Sequence, residues 1–514
     1  MKISNSEANT TIQPQAPATH SEIMVIISAL MLVMLLAALD QTIVSTALPR
    51  IATDLHGLNK LSWVATAYLL TSAITTPIYG KVSDQIGRKK IFQTAIVIFL
   101  IGSMLCGISQ TMNELIAARA LQGVGAGGLI SLVLAIVGDI IPPRQRGKYM
   151  GYIMSVFGVA SVAGPLLGGF ITDSLSWRWI FFVNVPLGIV ALSAVAARLH
   201  LPVHKSLHKI DYLGSILLAG SSICLILATV WGGTTYPWGS AQIIGLFVSS
   251  VVLGVLFVIR ERYAEEPLLP LRLFKNDIFS VSVILSVLSG LAMFAAILYI
   301  PLYQQVVRGY SPTKSGLYML PLVFGLLAAS ITSGRLTSRL GKYKIFPIIG
   351  TLIMALGLFL FSHLSLTTSH LTLSIWMLII GVGLGTYMQI MTLAIQNSVD
   401  RSDMGTATSS ATFFRSLGSS LGGALFGSIL ISRLTHYLTQ SMPASAGKIN
   451  ISAIESGGTS QKLSAAAAHP VLLAFVHAFH DMFLLTIPFV LLAFVVSLFL
   501  REAPLRTHNE PVIE

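Results

Sequence analysis

Asp40 is a carboxylate set inside the first long apolar run of the chain, ALMLVMLLAALDQTIVSTALP. A charge within a spanning helix costs several kcal/mol unless it is solvated, paired or protonated. About nine residues, roughly 13 Å of helix, separate it from Pro49, which places it below the outer interface. A hydrated Asp near a helix end is the competing reading. A carboxylate at that depth is a candidate to exchange a proton against a cationic substrate. Arg119 is the complementary oddity, a lone cation in the fourth apolar run, about two turns inside and within snorkelling reach of the surface. Gln122 lies one turn further on and can share a polar network with it. Arg415, in the thirteenth run, is a weaker candidate, because helix–helix hydrogen bonding accounts for it nearly as well.

A second constellation is GKVSDQIGRKK, residues 80–90. Gly80 and Gly87 permit close helix approach and a tight turn, and Asp84 and Arg88 can form charge-assisted hydrogen bonds across elements. Asp139, at the inner end of the fourth run, is the expected partner of Arg88. Arg88, Lys89 and Lys90 also serve as topology signals. A third is GVASVAGPLLGG, residues 158–169, in which Gly158, Gly164, Pro165, Gly168 and Gly169 allow close packing and a bend. Tyr68, Phe157, Asn184, Tyr299, Met388 and Gln389 are polar, aromatic or adaptable residues within runs and are candidates for a broad-specificity pocket. His477, His480 and Asp481 resemble a metal spacing, but interfacial hydration explains them better, and no metal site is expected. Cys106 and Cys224 read as packing residues.

The elements that must position these groups follow from composition. Hydrophobic residues make up 54% of the 514 and charged residues only 10%, far below the quarter or so usual in soluble domains. Apolar runs long enough to cross a bilayer recur throughout, about fourteen in all. Six precede residue 200, two lie between Tyr212 and Ile259, and six lie between Ile278 and Leu500. They include Trp179–Ala197, Gly316–Ser333, Gly405–Ile431 and Val471–Leu500. The net charge of +12 sits in the connecting loops, which speaks for positive-inside topology and against nucleic acid. The inner set includes Lys81, Arg88, Lys89, Lys90, Arg144, Arg146, Lys148, Arg335, Arg339, Lys342 and Lys344, which implies both termini on the inner side. The polar first residues read as a short tail rather than a cleaved leader.

GKVSDQIGRKKIF (residues 80–92) is matched by GRLTSRLGKYKIF (residues 334–346), each between two runs. Gly80 aligns with Gly334, Gly87 with Gly341 and Lys90 with Lys344, whereas Ser338 replaces Asp84. The expected organisation is an all-α polytopic membrane protein of two six-helix bundles with two inserted helices. The tail is 1–21, the first bundle 22–200, the insertion 201–275, the second bundle 276–500 with an external loop at 435–469, and the inner C-terminal tail 501–514.

GKVSDQIGRKK, RALQGVGAG (Arg119–Gly127) and GVASVAGPLLGG resemble the loop, fourth-helix and fifth-helix motifs of the major facilitator superfamily. LDQTIVSTALP, WVATAYLLT and WRWIFFVNVPLG resemble signatures of its fourteen-helix drug:proton antiporters. The resemblance implies multidrug efflux of small cationic or amphipathic compounds across the plasma membrane, and a proton-transfer role at Arg119. It also implies a latch at residues 80–90 that stabilises the outward-facing state, and an exporter signature at residues 158–169. It implies no cofactor beyond a proton gradient, a monomer and, in some relatives, a periplasmic adaptor. Export of a specific metabolite such as an amino acid, siderophore or lipid precursor fits the same features. A membrane enzyme fits poorly, because no Asp-rich metal-diphosphate motif and no Gly-rich loop ending in Lys-Ser or Lys-Thr occurs. A transporter-like sensor would need an output domain that this sequence does not contain.

Overall fold

The computed structural model describes residues 20–55, 60–199, 211–233, 235–441 and 465–505. Among them the α-helices are α1 (His20–Asp54), α2 (Leu61–Ile86), α3 (Arg88–Ile108), α4 (Met112–Ile140), α5 (Pro143–Ser174), α6 (Trp179–Phe182), α7 (Asn184–Arg198) and α8 (Tyr212–Trp231). They continue with α9 (Ala241–Tyr263), α10 (Asp277–Val306), α11 (Pro312–Tyr318), α12 (Leu320–Leu340), α13 (Ile345–Ser362), α14 (His370–Ser398), α15 (Met404–Ser441) and α16 (Ala465–Leu498). Among the described residues, thirteen stretches are long and apolar enough to cross a membrane. The fourteenth expected span falls on α2, which is 26 residues long, is not among these thirteen and packs along α4.

The lower apolarity of α2 has a structural use. Its Thr71, Thr75 and Thr76 hydroxyls donate to the Ala120, Val124 and Gly127 carbonyls of α4 at 2.8, 3.2 and 3.1 Å. A Cβ at Gly123 would stand 2.1 Å from Thr71 Oγ1, and one at Gly127 2.2 Å from Thr75 Oγ1. The glycines of α4 thus open the room that these interhelical hydrogen bonds fill, the packing mode of membrane helices. On the outer faces, Phe170, Ile216, Val248, Val251 and Val255 are exposed, an apolar belt suited to lipid and not to water.

Several boundaries depart from the sequence reading. The sixth run is two helices, α6 and α7, because Pro186 in the first turn of α7 has no N–H and crowds the carbonyl four residues back. Pro321 splits the tenth run into α11 and α12 in the same way. The external loop does not begin at Thr435: α15 continues to Ser441, with Leu434 and Leu438 buried in the second bundle. Nor does it end at His469, since α16 starts at Ala465 on a run of alanines, the strongest helix formers. Residues 442–464, expected as part of that loop, and residues 1–19 and 506–514, expected as tails, lie outside the described residues. Residues 501–505 are packed: Glu502 accepts from the Tyr343 N–H at 2.6 Å, and the Tyr343 hydroxyl donates to the Arg501 carbonyl at 2.9 Å.

The two bundles cross at two places related by the sequence repeat. Gly80 of α2 lies on α15, where a Cβ would stand 2.2 Å from Ser409 Oγ. Gly334 of α12 lies on α5, where a Cβ at Gly147 would stand 2.4 Å from the Gly334 carbonyl. The next glycine of each copy turns the chain with a positive φ, 110° at Gly87 and 69° at Gly341, which a side chain rarely tolerates. Replacing Gly147 with Ala is expected to force α5 from α12 and to lower stability by about 1–3 kcal/mol. A drop in melting temperature of the purified protein checks this. Gly239→Ala, whose Cβ would meet nothing within 4 Å, is the control that should not move.

The inserted pair α8–α9 is joined by reciprocal hydroxyl–carbonyl bonds between Ser221 and Ser250, at 2.8 and 2.9 Å. It packs on α2 and α15. The segment leaving α9 bridges both bundles. Glu261 accepts from the Leu268 and Leu269 N–H groups at 3.2 and 2.9 Å, Glu266 pairs with Lys81 of α2 at 2.7 Å, and Arg272 pairs with Asp403 before α15 at 2.9 Å. Burial pushes the Asp403 carboxyl up, and Arg272 opposes that shift.

Candidate functional site

Asp40 projects from α1 into a closed polar network. Its Oδ2 accepts from Arg119 Nη1 at 2.7 Å, and its Oδ1 accepts from Gln122 Nε2 at 2.8 Å and Asn184 Nδ2 at 2.9 Å. Arg119 Nη1 also donates to Gln122 Oε1 at 2.7 Å, and Arg119 Nε donates to the Val64 carbonyl of α2 at 3.3 Å. Asn184 reaches Ser103 Oγ at 3.0 Å, and Ser103 donates to the Phe181 carbonyl at 2.8 Å. Asp40 is 0% and Arg119 2% exposed. Snorkelling is therefore excluded: the guanidinium turns inward and lies 4.1 Å from the centre of the Tyr68 ring. Such a pair is isolated from water, and each oxygen of the carboxylate is satisfied by at least one donor, which is what a buried charge requires.

Two residues expected in a pocket, Tyr68 and Asn184, belong to this network. Cys106, read as packing, sits beside it, its Sγ 3.6 Å from Gln122 Oε1. Ser103 was missed: a single Ser in an apolar run carries no distinguishing spacing. The Tyr299 hydroxyl donates to the Gly423 carbonyl at 2.7 Å, and its ring joins the core of the second bundle. Phe157 packs against the core of the first bundle, and Met388 is half-buried on α14. The side chain of Gln389 lies outside the described residues.

At the basic end of the bundles, Asp84 caps α15. Its carboxylate accepts from the Gly405 N–H at 3.2 Å, the Thr406 N–H at 2.8 Å and Thr406 Oγ1 at 2.9 Å. Arg88 pairs with Asp84 at 2.7 Å and with Asp139 of α4. One loop thus ties α2, α3 and α4 to the N-terminus of α15 in the opposite bundle, where an acidic cap is favoured by the helix dipole. Lys89 does not join this cluster; its Nζ donates to the Ala196 carbonyl of α7 at 2.7 Å. In the second copy Ser338 bonds back to the Gly334 carbonyl at 3.0 Å and to no other described residue, and Glu502 accepts from the Tyr343 N–H of that loop.

The glycines of α5 face both ways. A Cβ at Gly164 would stand 2.0 Å from Thr42 Oγ1, and Thr42 donates to the Ala160 carbonyl at 3.0 Å. On the other face a Cβ at Gly158 would stand 2.7 Å from Val323 of α12, and Gly316 lies against Pro165. Gly168 is buried and Gly169 half-buried. Asp481 pairs with Arg433 at 3.4 Å and accepts from the Tyr437 hydroxyl at 2.9 Å. His480 lies 2.6 Å from the Ser362 carbonyl, so partners within the protein account for these groups more than hydration does. Among the described residues no group of three His, Cys, Asp or Glu side chains is placed to hold a metal.

The sequence profile of the Major Facilitator Superfamily matches residues 30–423. An MFS-type transporter of Mycobacterium tuberculosis is 40% identical over 94% of this chain and 70% of its own length. Multidrug resistance protein 3 of Bacillus subtilis is 35% identical, over 94% of this chain and 96% of its own. Among solved structures, the proton:xylose symporter XylE superposes with a TM-score of 0.63 at 14% identity, covering 95% of this chain and 98% of its own.

Proposed function

Because this chain belongs to the Major Facilitator Superfamily, we propose that it is a proton-coupled antiporter exporting small amphipathic compounds across the cytoplasmic membrane, with both termini inside. Kinship with proteins named for multidrug resistance and efflux supports the direction. The observation that carries the coupling is the buried pair of Asp40 and Arg119.

A proton arriving at Asp40 removes the charge that holds Arg119 Nη1. Arg119 then keeps Gln122, the Val64 carbonyl and the Tyr68 ring as partners, so the switch costs less than stranding a bare cation. Asp40 lies two residues from Thr42, whose contact with α5 at Ala160 and Gly164 leads to the α5–α12 crossing between bundles. A shift of α1 at Asp40 therefore bears on the seam that must open. A cationic substrate would have to displace Arg119 from Asp40 to find a counter-charge there. The Asp84–Arg88–Asp139 cluster closes the basic end against α15 and holds the opposite side available. No cofactor or adaptor enters this reading.

The test is transport in proteoliposomes with an imposed pH gradient and a panel of amphipathic dyes. Uphill movement that collapses when the gradient is dissipated is the expected result. Dye movement indifferent to the gradient would overturn the coupling. Movement of one metabolite and no dye would favour a dedicated metabolite exporter.

A further inference from the structure

Arg415 of α15 is a membrane-embedded cation that the network above does not use. It follows Gly405, the residue capped by Asp84, by ten positions, about 15 Å of helix, which is halfway through a hydrocarbon core about 30 Å thick. Asp40 is matched by Arg119, Asp139 by Arg88 and Asp481 by Arg433. The guanidinium of Arg415 has no hydrogen bond or ion pair with any described residue, although its backbone carbonyl accepts from Ser419 Oγ at 3.1 Å. Gly290 of α10 lies against that carbonyl, where a Cβ would stand 2.1 Å away, and a glycine carries no side chain to compensate the charge. Guanidinium does not deprotonate in proteins, so the charge is permanent.

The face that carries Arg415 is identified by its helical neighbours. Thr412 and Thr408 lie one and two turns before it on the same side. Gln396 Nε2 of α14 donates both to Thr408 Oγ1 at 3.2 Å and to the Leu134 carbonyl of α4 at 3.0 Å. This side of α15 therefore turns toward the seam between bundles, with the Gln396 contact closing the seam below. Arg415 is half-buried, whereas Thr408 and Thr412 are buried. A long helical side chain leans toward the N-terminus of its helix, here down toward that closed floor.

We propose that Arg415 anchors the anionic group, a carboxylate or sulfonate, of an amphipathic organic acid or zwitterion taken into the seam. A planar guanidinium binds such groups through two parallel hydrogen bonds, and the substrate provides the counter-charge that the described residues do not. This rests on the transporter reading and narrows its substrates: Asp40 is already neutralised by Arg119, so the uncompensated charge is positive.

The test uses the full chain in nanodiscs of phosphatidylcholine, which removes anionic lipid as a competitor. The probes are dansylglycine and its amide, identical except for the carboxylate, read by dansyl fluorescence. Wild type is expected to bind the acid at least about tenfold more tightly than the amide. Arg415→Gln should abolish that ratio, and Arg415→Lys should keep part of it. Equal binding of acid and amide by wild type, no binding of the acid, or an unchanged ratio in Arg415→Gln overturns the proposal. Should Arg415→Gln fail to fold, the wild-type ratio and Arg415→Lys decide the matter. Binding needs no gradient, so loss of proton-driven export with the ratio intact overturns the antiport reading alone. Proton-driven dye export with no acid preference overturns this one alone.

Discussion

Asp40→Asn is expected to cut export driven by a pH gradient at least about tenfold, equivalent to about 1.4 kcal/mol on the barrier, while leaving downhill exchange of substrate in place. Asn keeps the size of the side chain and can still accept from Gln122 or Asn184, but it carries no exchangeable proton. The same change strands Arg119, which is 2% exposed, so the variant should lose about 3–5 kcal/mol of stability. Adding Arg119→Gln should recover part of that stability and none of the coupling. Substrate and proton fluxes in proteoliposomes, together with thermal unfolding of the same samples, separate the two effects. Wild-type export rate and pH response in Asp40→Asn would remove Asp40 from the mechanism.

Asp84→Ala is expected to release the basic end. The substitution uncaps α15, which by itself costs about 0.5–2 kcal/mol, and it also breaks one of the two ion pairs of Arg88 while the pair with Asp139 remains. The bundles should open more often on that side. In a background with Cys106→Ala and Cys224→Ala, a cysteine at Thr408, buried behind the latch, should react with a maleimide roughly tenfold faster, as expected for a shift of about 1.4 kcal/mol. Unchanged labelling in a well-folded Asp84→Ala protein would mean that the latch does not govern this opening.

Much of the frame was legible before any coordinates. Apolar runs separated by basic loops leave few alternatives to a helical membrane protein, because an unpaired backbone cannot cross hydrocarbon. The repeat at residues 80–92 and 334–346 placed equivalent glycines, and both turns carry positive φ. Asp40 and Arg119 stood out because charge is scarce in such runs. Of their partners, Gln122 stood out one turn from Arg119 and Asn184 as a polar residue within a run, whereas Ser103, 81 residues from Asn184, did not, because Ser is not rare in membrane helices. Pro186 and Pro321 were visible as residues, but an apolar run reads as continuous whether or not proline breaks it.

The sequence by itself determined the spans, the duplicated halves and the identity of the charges that could do chemistry, since hydropathy and residue type are local properties. Only the tertiary structure decided how those charges are compensated. Arg119 could have snorkelled outward but turns in to Asp40, because α1, α2, α4 and α7 together supply a carboxylate, a carbonyl, an aromatic face and two amides at one depth. Arg415 meets no such set among the described residues. That difference arises from the contacts of distant helices, and no window of the sequence contains it.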